Sequence, residues 1–330
     1  MKHAFAIVAL FGSLLTCSAP TRAAEPIEVF ILAGQSNMEG QAFVQADAKR
    51  NGGKGSLEFL VKDPATAPRF AGLMDPKGKW VVRNDVWIKY LDRQGPLTVG
   101  YGVRPDRIGP ELGFGWTIAE ALHHRPVLLI KCAWGGKSLA VDFRPPGSGK
   151  LPYPLNAKRQ AELDHDPEML GKYYRLTLSL VHDALAQVHQ IIPNSEGRPV
   201  ELAGFGWHQG WNDRIDNQFN AEYEKNMANF IRDMRKDLNS PKLPFVIAET
   251  GMNGPDEKNP RALSLMKAQG AVAEYPEFKG NVAFVPTQKF WRPVEVSPAN
   301  QGYHWNCNAE TYYLIGTAMA NAMKPMLPAK

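Results

Sequence analysis

The sequence predicts a three-layer α/β/α sandwich built around a five-stranded parallel sheet. Three observations carry this. Short apolar runs alternate with longer amphipathic segments, the order of strand and covering helix in a parallel sheet. The runs are rich in Val, Ile, Leu and Phe without polar alternation, as strands buried on both faces require. The chain has 330 residues, 44% hydrophobic and 22% charged, enough for a sizeable core and against disorder or a coiled coil.

The first strand is expected at 28–33, and the other four at 126–133, 200–207, 243–249 and 281–285. A helix at 111–122 precedes the second strand. Tyr174, Leu178, Val181, Leu185, Val188 and Ile192 then step by alternating fours and threes, which lines one helical face. Phe219, Tyr223, Met227, Phe230, Met234 and Leu238, stepping by fours with a single three, line one face of the next helix, and shorter helices are expected at 261–274 and 310–323. These stripes face the core.

The 29 glycines and 26 prolines exceed typical usage of roughly 7% and 5%. The excess collects in two insertions, 41–110 and 142–167, both too long for ordinary connections. Each follows the C-terminal end of a strand, where open α/β sheets place ligands, so both read as site-building loops. The first holds Trp80, Trp87, Tyr90 and Tyr101, and an accessory strand at 85–91.

Residues 1–24 read as a signal peptide: Lys2 and His3, an apolar run over 4–15, then small residues to Ala24. The run is too short to span a bilayer, which takes about 20 residues. Export to the periplasm or the outside is therefore expected, with 25–330 as one domain. Thr16 before Cys17 speaks against a lipidated cysteine. Losing Lys2 and Arg22 trims an already small formal charge of +5, so nucleic acid is not an expected partner. No other run is long enough to cross a membrane. Cys132 and Cys307 remain, too few for a disulfide framework, and are expected as buried thiols rather than a bridge. CxxC and HExxH are absent and the histidines lack zinc-ligand spacing, so neither metal nor cofactor is expected.

The chemistry gathers at strand ends. Gly34-Gln35-Ser36-Asn37-Met38 follows the first strand, placing a hydroxyl at the sheet's C-terminal edge; the plainer role for such a serine is a helix cap. Trp134-Gly135-Gly136-Lys137-Ser138 follows the second, bringing bare backbone N–H groups. Trp207-His208-Gln209-Gly210-Trp211-Asn212-Asp213 follows the third with a side-chain amide, and Gly302-Tyr303-His304-Trp305-Asn306 follows the last with an imidazole. A hydroxyl, a base and oxyanion donors converging on one edge are what acyl transfer requires. By strand alternation His208 points away from Gln209 into the core, and His123-His124 close a helix.

These blocks resemble the SGNH-type carbohydrate esterases, closest to the sialate O-acetylesterase and acetylxylan esterase-like group, in order along nearly the whole chain. The resemblance implies a flavodoxin-like SGNH hydrolase fold and removal of O-acetyl groups from an acetylated carbohydrate. It implies Ser36 as nucleophile and His304 as general base. The oxyanion donors would be the N–H of Ser36, a glycine of Gly135-Gly136, and the Gln209 amide. Two positions depart from the pattern. The histidine block DxxH has Gln301 in place of the acid, and Trp211 stands where QGE has its glutamate. The third triad member is therefore open among Asp213, Glu249, Glu310 and a dyad oriented by a backbone carbonyl. Trp134, Trp211, Trp305, Lys137 and Arg292 are candidate sugar contacts. An SGNH esterase for lipids or thioesters and a noncatalytic glycan-binding module are the alternative functions.

Overall fold

The computed structural model describes residues 24–123 and 125–327. The expected signal peptide, with Cys17, and His124 thus lie outside the described residues, Ala24 excepted. Nine strands are described: β1 Ile27–Gly34, β2 Ala42–Phe43, β3 Val86–Tyr90, β4 Arg93–Pro96, β5 Arg107–Ile108, β6 Val127–Ala133, β7 Val200–His208, β8 Phe245–Ala248 and β9 Val282–Val285. Seven form the central sheet in the order β4-β3-β6-β1-β7-β8-β9, and β2 pairs with β5 in a small ribbon. All neighbours in the main sheet run parallel except β3 and β4.

Five strands were expected and seven are present. The five are β1 and β6 to β9, at the anticipated places. The accessory strand materialises as β3, which extends the parallel sheet beyond β6. Its hairpin partner β4 was missed because Arg-Gln-Gly-Pro carries no strand pattern; an edge strand tolerates that proline since one side of it needs no ladder bond.

Every residue of β1 is buried, as befits the central strand. Its side chains alternate between two cores. Phe30 and Leu32 pack with the helices Pro110–Ala121 and Ala309–Met323, while Val29 and Ile31 pack with Lys172–Ala186, Asn217–Asp237 and Pro260–Ala273. The first two helices cross so closely that glycine is required at the contact. A Cβ on Gly316 would lie 1.9 Å from the Pro110 carbonyl oxygen, and one on Gly113 2.1 Å from that of Tyr313. Asn308 caps Ala309–Met323 by accepting from the Glu310 and Thr311 amides, which fixes where the preceding loop ends. No helix among the described residues is long and apolar enough to cross a membrane.

Beneath the sheet's C-terminal edge sits a fully buried ammonium. Lys131 Nζ donates to the Glu111 carboxylate, the Glu39 carbonyl and the Tyr101 carbonyl, each at 2.7 Å. Three donors meet three acceptors, which is what makes a buried charge tolerable.

Candidate active site

Ser36 opens the one-turn helix Ser36–Glu39 directly after β1. It does not cap that helix: Gln35 holds the cap position, with its main-chain oxygen receiving the Met38 and Glu39 amides. The Gln35 side chain instead accepts from the Gly210 and Asn212 amides, tying the serine turn to the end of β7. Gly34 allows the turn to approach that strand, since a Cβ there would sit 2.2 Å from the His208 carbonyl oxygen.

Asn37 links the serine turn to the far end of the chain. Its Nδ2 donates to the Tyr303 carbonyl at 3.1 Å, and its Oδ1 accepts from Tyr312 Oη at 2.7 Å. Tyr312 Oη lies 3.3 Å from the His304 carbonyl as well. The structure therefore brings the Ser36 and His304 segments, separated by most of the sequence, to one sheet edge. Gly135 completes the corner: a Cβ built on it would lie 3.7 Å from Ser36 Cβ and 3.1 Å from Glu39 Oε2.

The His304 segment is bent in a way the sequence does not announce. Trp305, Asn306 and Cys307 are consecutive non-glycine residues with φ of +52°, +54° and +56°. Such backbone costs on the order of 1–3 kcal/mol per residue and persists only when its surroundings impose it. Here they do: Gln301 O receives both the His304 and Asn306 amides, and Asn306 Nδ2 donates to Arg292 O. The turn lets His304 line an open depression of about 360 Å³ with Gln41, Arg104, Arg107, Gln301 and Cys307. Tyr303 packs against the imidazole with ring centroids 4.4 Å apart.

Burial lowers the His304 pKa to about 4, and no carboxylate opposes it. The three acids weighed as its partner are engaged elsewhere. Asp213 is fully buried, accepting from the Leu139 and Ala140 amides and from Gln209 Nε2, and burial pushes its pKa up to about 7. Glu249 accepts from the Thr287 and Gln288 amides. Glu310 pairs with Arg69 and Arg292.

Gln209 departs from expectation too. Both protons of its Nε2 are committed, one to the Lys137 carbonyl and one to Asp213, and the side chain is 1% exposed. It braces the 134–140 loop from within instead of presenting an amide to solvent. Trp305, a candidate sugar contact by sequence, is 0% exposed between His208 and Trp291, leaving no face for a ligand. Arg292 is held by Glu310. His208 is buried in the core.

Trp134, Trp211 and Lys137 stay at the surface of the site. Trp134 packs on Tyr173, with Lys137 Nζ over the same tyrosine at 4.6 Å. Trp211 meets Tyr303 at 5.8 Å. Tyr303 is 44% exposed and was missed as a site residue, although it adjoins the histidine. Glu39 was missed as well. It follows Ser36 by three positions and so shares its helical face, and burial raises its pKa despite the Gly135 N–H and Lys131. Cys132 and Cys307 are free, and burial lifts their thiols to about 12 and about 11.

Residues 26–324 match a family described as carbohydrate esterase, sialic acid-specific acetylesterase. A probable carbohydrate esterase of Arabidopsis thaliana is 25% identical over 224 residues, covering 67% of this chain and 68% of that protein. The solved structure of an Arabidopsis thaliana protein shares the fold with a TM-score of 0.55 at 18% identity, over 90% of this chain and 98% of that one. A carbohydrate acetylesterase from Xanthomonas citri aligns with a TM-score of 0.49 at 15% identity, over 89% of this chain and 55% of that one.

Proposed function

Given that the chain belongs to the sialic acid-specific acetylesterase family of carbohydrate esterases, and so is a carboxylic ester hydrolase, we propose that it removes O-acetyl groups from carbohydrate through an acetyl-serine intermediate. The observation that carries this is the Asn37–Tyr303 hydrogen bond with its Tyr312 brace, which supports a shared cleft for Ser36 and His304.

Neutral His304 takes the Ser36 Oγ proton as Oγ attacks the acetyl carbonyl carbon. The tetrahedral oxyanion lies against the N–H groups of Ser36 and the Gly135-Gly136 turn. The sugar oxygen leaves with the proton from the imidazolium. A water then gives its proton to His304 and attacks the acetyl-enzyme, and acetate departs as Ser36 recovers its proton. No triad acid is assigned. Asp213 and Gln209 act as positioning residues for the glycine turn, because their hydrogen bonds end on Lys137, Leu139 and Ala140. With a pKa near 4, His304 is neutral and ready as a base at pH 7. The signal-like N-terminus supports a periplasmic or extracellular location.

The experiment is Ser36→Ala assayed on 4-nitrophenyl acetate, with fluorophosphonate labelling of both forms. Loss of turnover and of labelling in the variant is expected. Retained turnover would remove Ser36 as nucleophile.

A further inference from the structure

Beside the catalytic corner, the second insertion leans over the turn that follows β7 and closes a cleft of about 230 Å³. Its walls are polar: Asn156, Arg159, Asn212, Asp216 and Gln218. Its floor is apolar, with Phe219 backed by Tyr153 at a ring distance of 6.0 Å. The acyl-transfer steps leave this space unused. Asn212 belongs both to the cleft and to the corner, for its Nδ2 donates to the Gly136 carbonyl and its amide to Gln35 Oε1. The cleft therefore begins one residue from the glycine turn beside Ser36.

The lining chemistry selects the occupant. Hydroxyl groups both donate and accept, and they pair well with amides, a guanidinium and a carboxylate set around an apolar surface that takes the C–H face of a ring. Charge narrows the class further. Arg159 is the one cation of the lining and is neutralised by Asp142, with Nη2 to Oδ2 at 3.0 Å. Asp216 adds a negative charge, spent on capping the helix Asn217–Asp237 at the Gln218 and Phe219 amides. A carboxylated sugar would meet Asp216 with no unpaired cation to receive it. A neutral ring meets no such cost.

We propose that this cleft binds an uncharged sugar unit adjacent to the acetylated one, so that an acetylated oligosaccharide or polysaccharide with a neutral neighbouring residue is preferred over a single acetylated sugar. This rests on the esterase reading above and adds the substrate class. Asn212 would join the two subsites, and the insertion 142–167 would set the specificity.

The test compares kcat/KM for three esters: 4-nitrophenyl acetate, an acetylated xylotriose and a 9-O-acetylated sialic acid. Wild-type enzyme is expected to favour the trisaccharide over the acidic monosaccharide. Gln218→Trp fills the cleft and Gln218→Ala removes a polar wall without touching the core. Each should lower the ratio of trisaccharide to aryl acetate kcat/KM, by roughly three- to tenfold for the alanine variant, the scale of one or two hydrogen bonds. The change should fall mainly on KM for the trisaccharide. A ratio unmoved in both variants, or preference for the sialic acid ester, would overturn the subsite while leaving the esterase reading intact. Failure of wild-type enzyme to cleave any of the three would overturn the esterase reading, and the subsite with it.

Discussion

Replacing Gln301 by aspartate would place a carboxylate three residues before His304, at the spacing this chain lacks. The backbone there is already set against the histidine, since Gln301 O receives the His304 and Asn306 amides and both residues line one depression. In wild-type enzyme burial alone acts on the imidazole, so the acidic limb of kcat/KM should fall near pH 4 and not at the unperturbed value of about 6.5. An opposite charge within about 4–6 Å raises such a pKa by 1–3 units. The limb in Gln301→Asp should therefore move up to between about 5 and 7. A stronger base that also orients its ring should raise kcat at pH 8. The assay is kcat/KM for 4-nitrophenyl acetate from pH 3.5 to 8, with melting temperature followed over the same range. A wild-type limb at 6.5 or above would mean that His304 has a supporting partner absent from the geometry. An unmoved limb in Gln301→Asp would refute the reasoning that a charge at this edge of the shared depression reaches the imidazole.

Two further outcomes test the scaffold. Gly316→Ala should destabilise by about 1–3 kcal/mol or more, because its methyl must displace the Pro110 backbone; urea denaturation measures this, and a change under 0.5 kcal/mol would contradict the close helix crossing. Burial pushes the Asp213 carboxyl up to about 7 in the folded state, from about 3.8 unfolded. The folded state thus holds the extra proton between those values, and stability contributed by this group falls as pH rises through that window, by about 4 kcal/mol in all. Asp213→Asn should abolish that component, seen as a difference in slope between unfolding free energies measured from pH 4 to 7.5. Parallel curves would show that Asp213 ionises normally.

What the sequence disclosed follows from what periodicity reports. Runs such as Phe245–Ala248 are apolar on both faces because helices cover both sides, so the five principal strands and the helices between them were readable at once. β4 was not, because an exposed edge needs no pattern. The GQSNM turn stood out by its place at a strand end and its resemblance to a family block, since a lone serine there reads as a helix cap; the structure gives the cap position to Gln35 instead. The misassigned residues share a different cause. Asp213 and Gln209 look catalytic in a linear motif, but their partners at 137–140 lie on another strand's loop. Trp305 looks like a sugar platform until the left-handed run turns it inward, and no glycine marks that run. Spacing along a chain says little about where a loop side chain points.

The Lys131 ammonium has a consequence for how such enzymes diversify. By gripping the carbonyls of Glu39 and Tyr101 together with the Glu111 carboxylate, it joins the Ser36–Glu39 turn, the first insertion and a covering helix at a single atom. That insertion is consequently not a detachable module. Grafting a foreign loop in its place would strand a proton donor under the Ser36 turn unless the graft supplied an oxygen at the same spot. The second insertion carries no such anchor to Lys131, which makes it the freer ground for altering what the enzyme accepts.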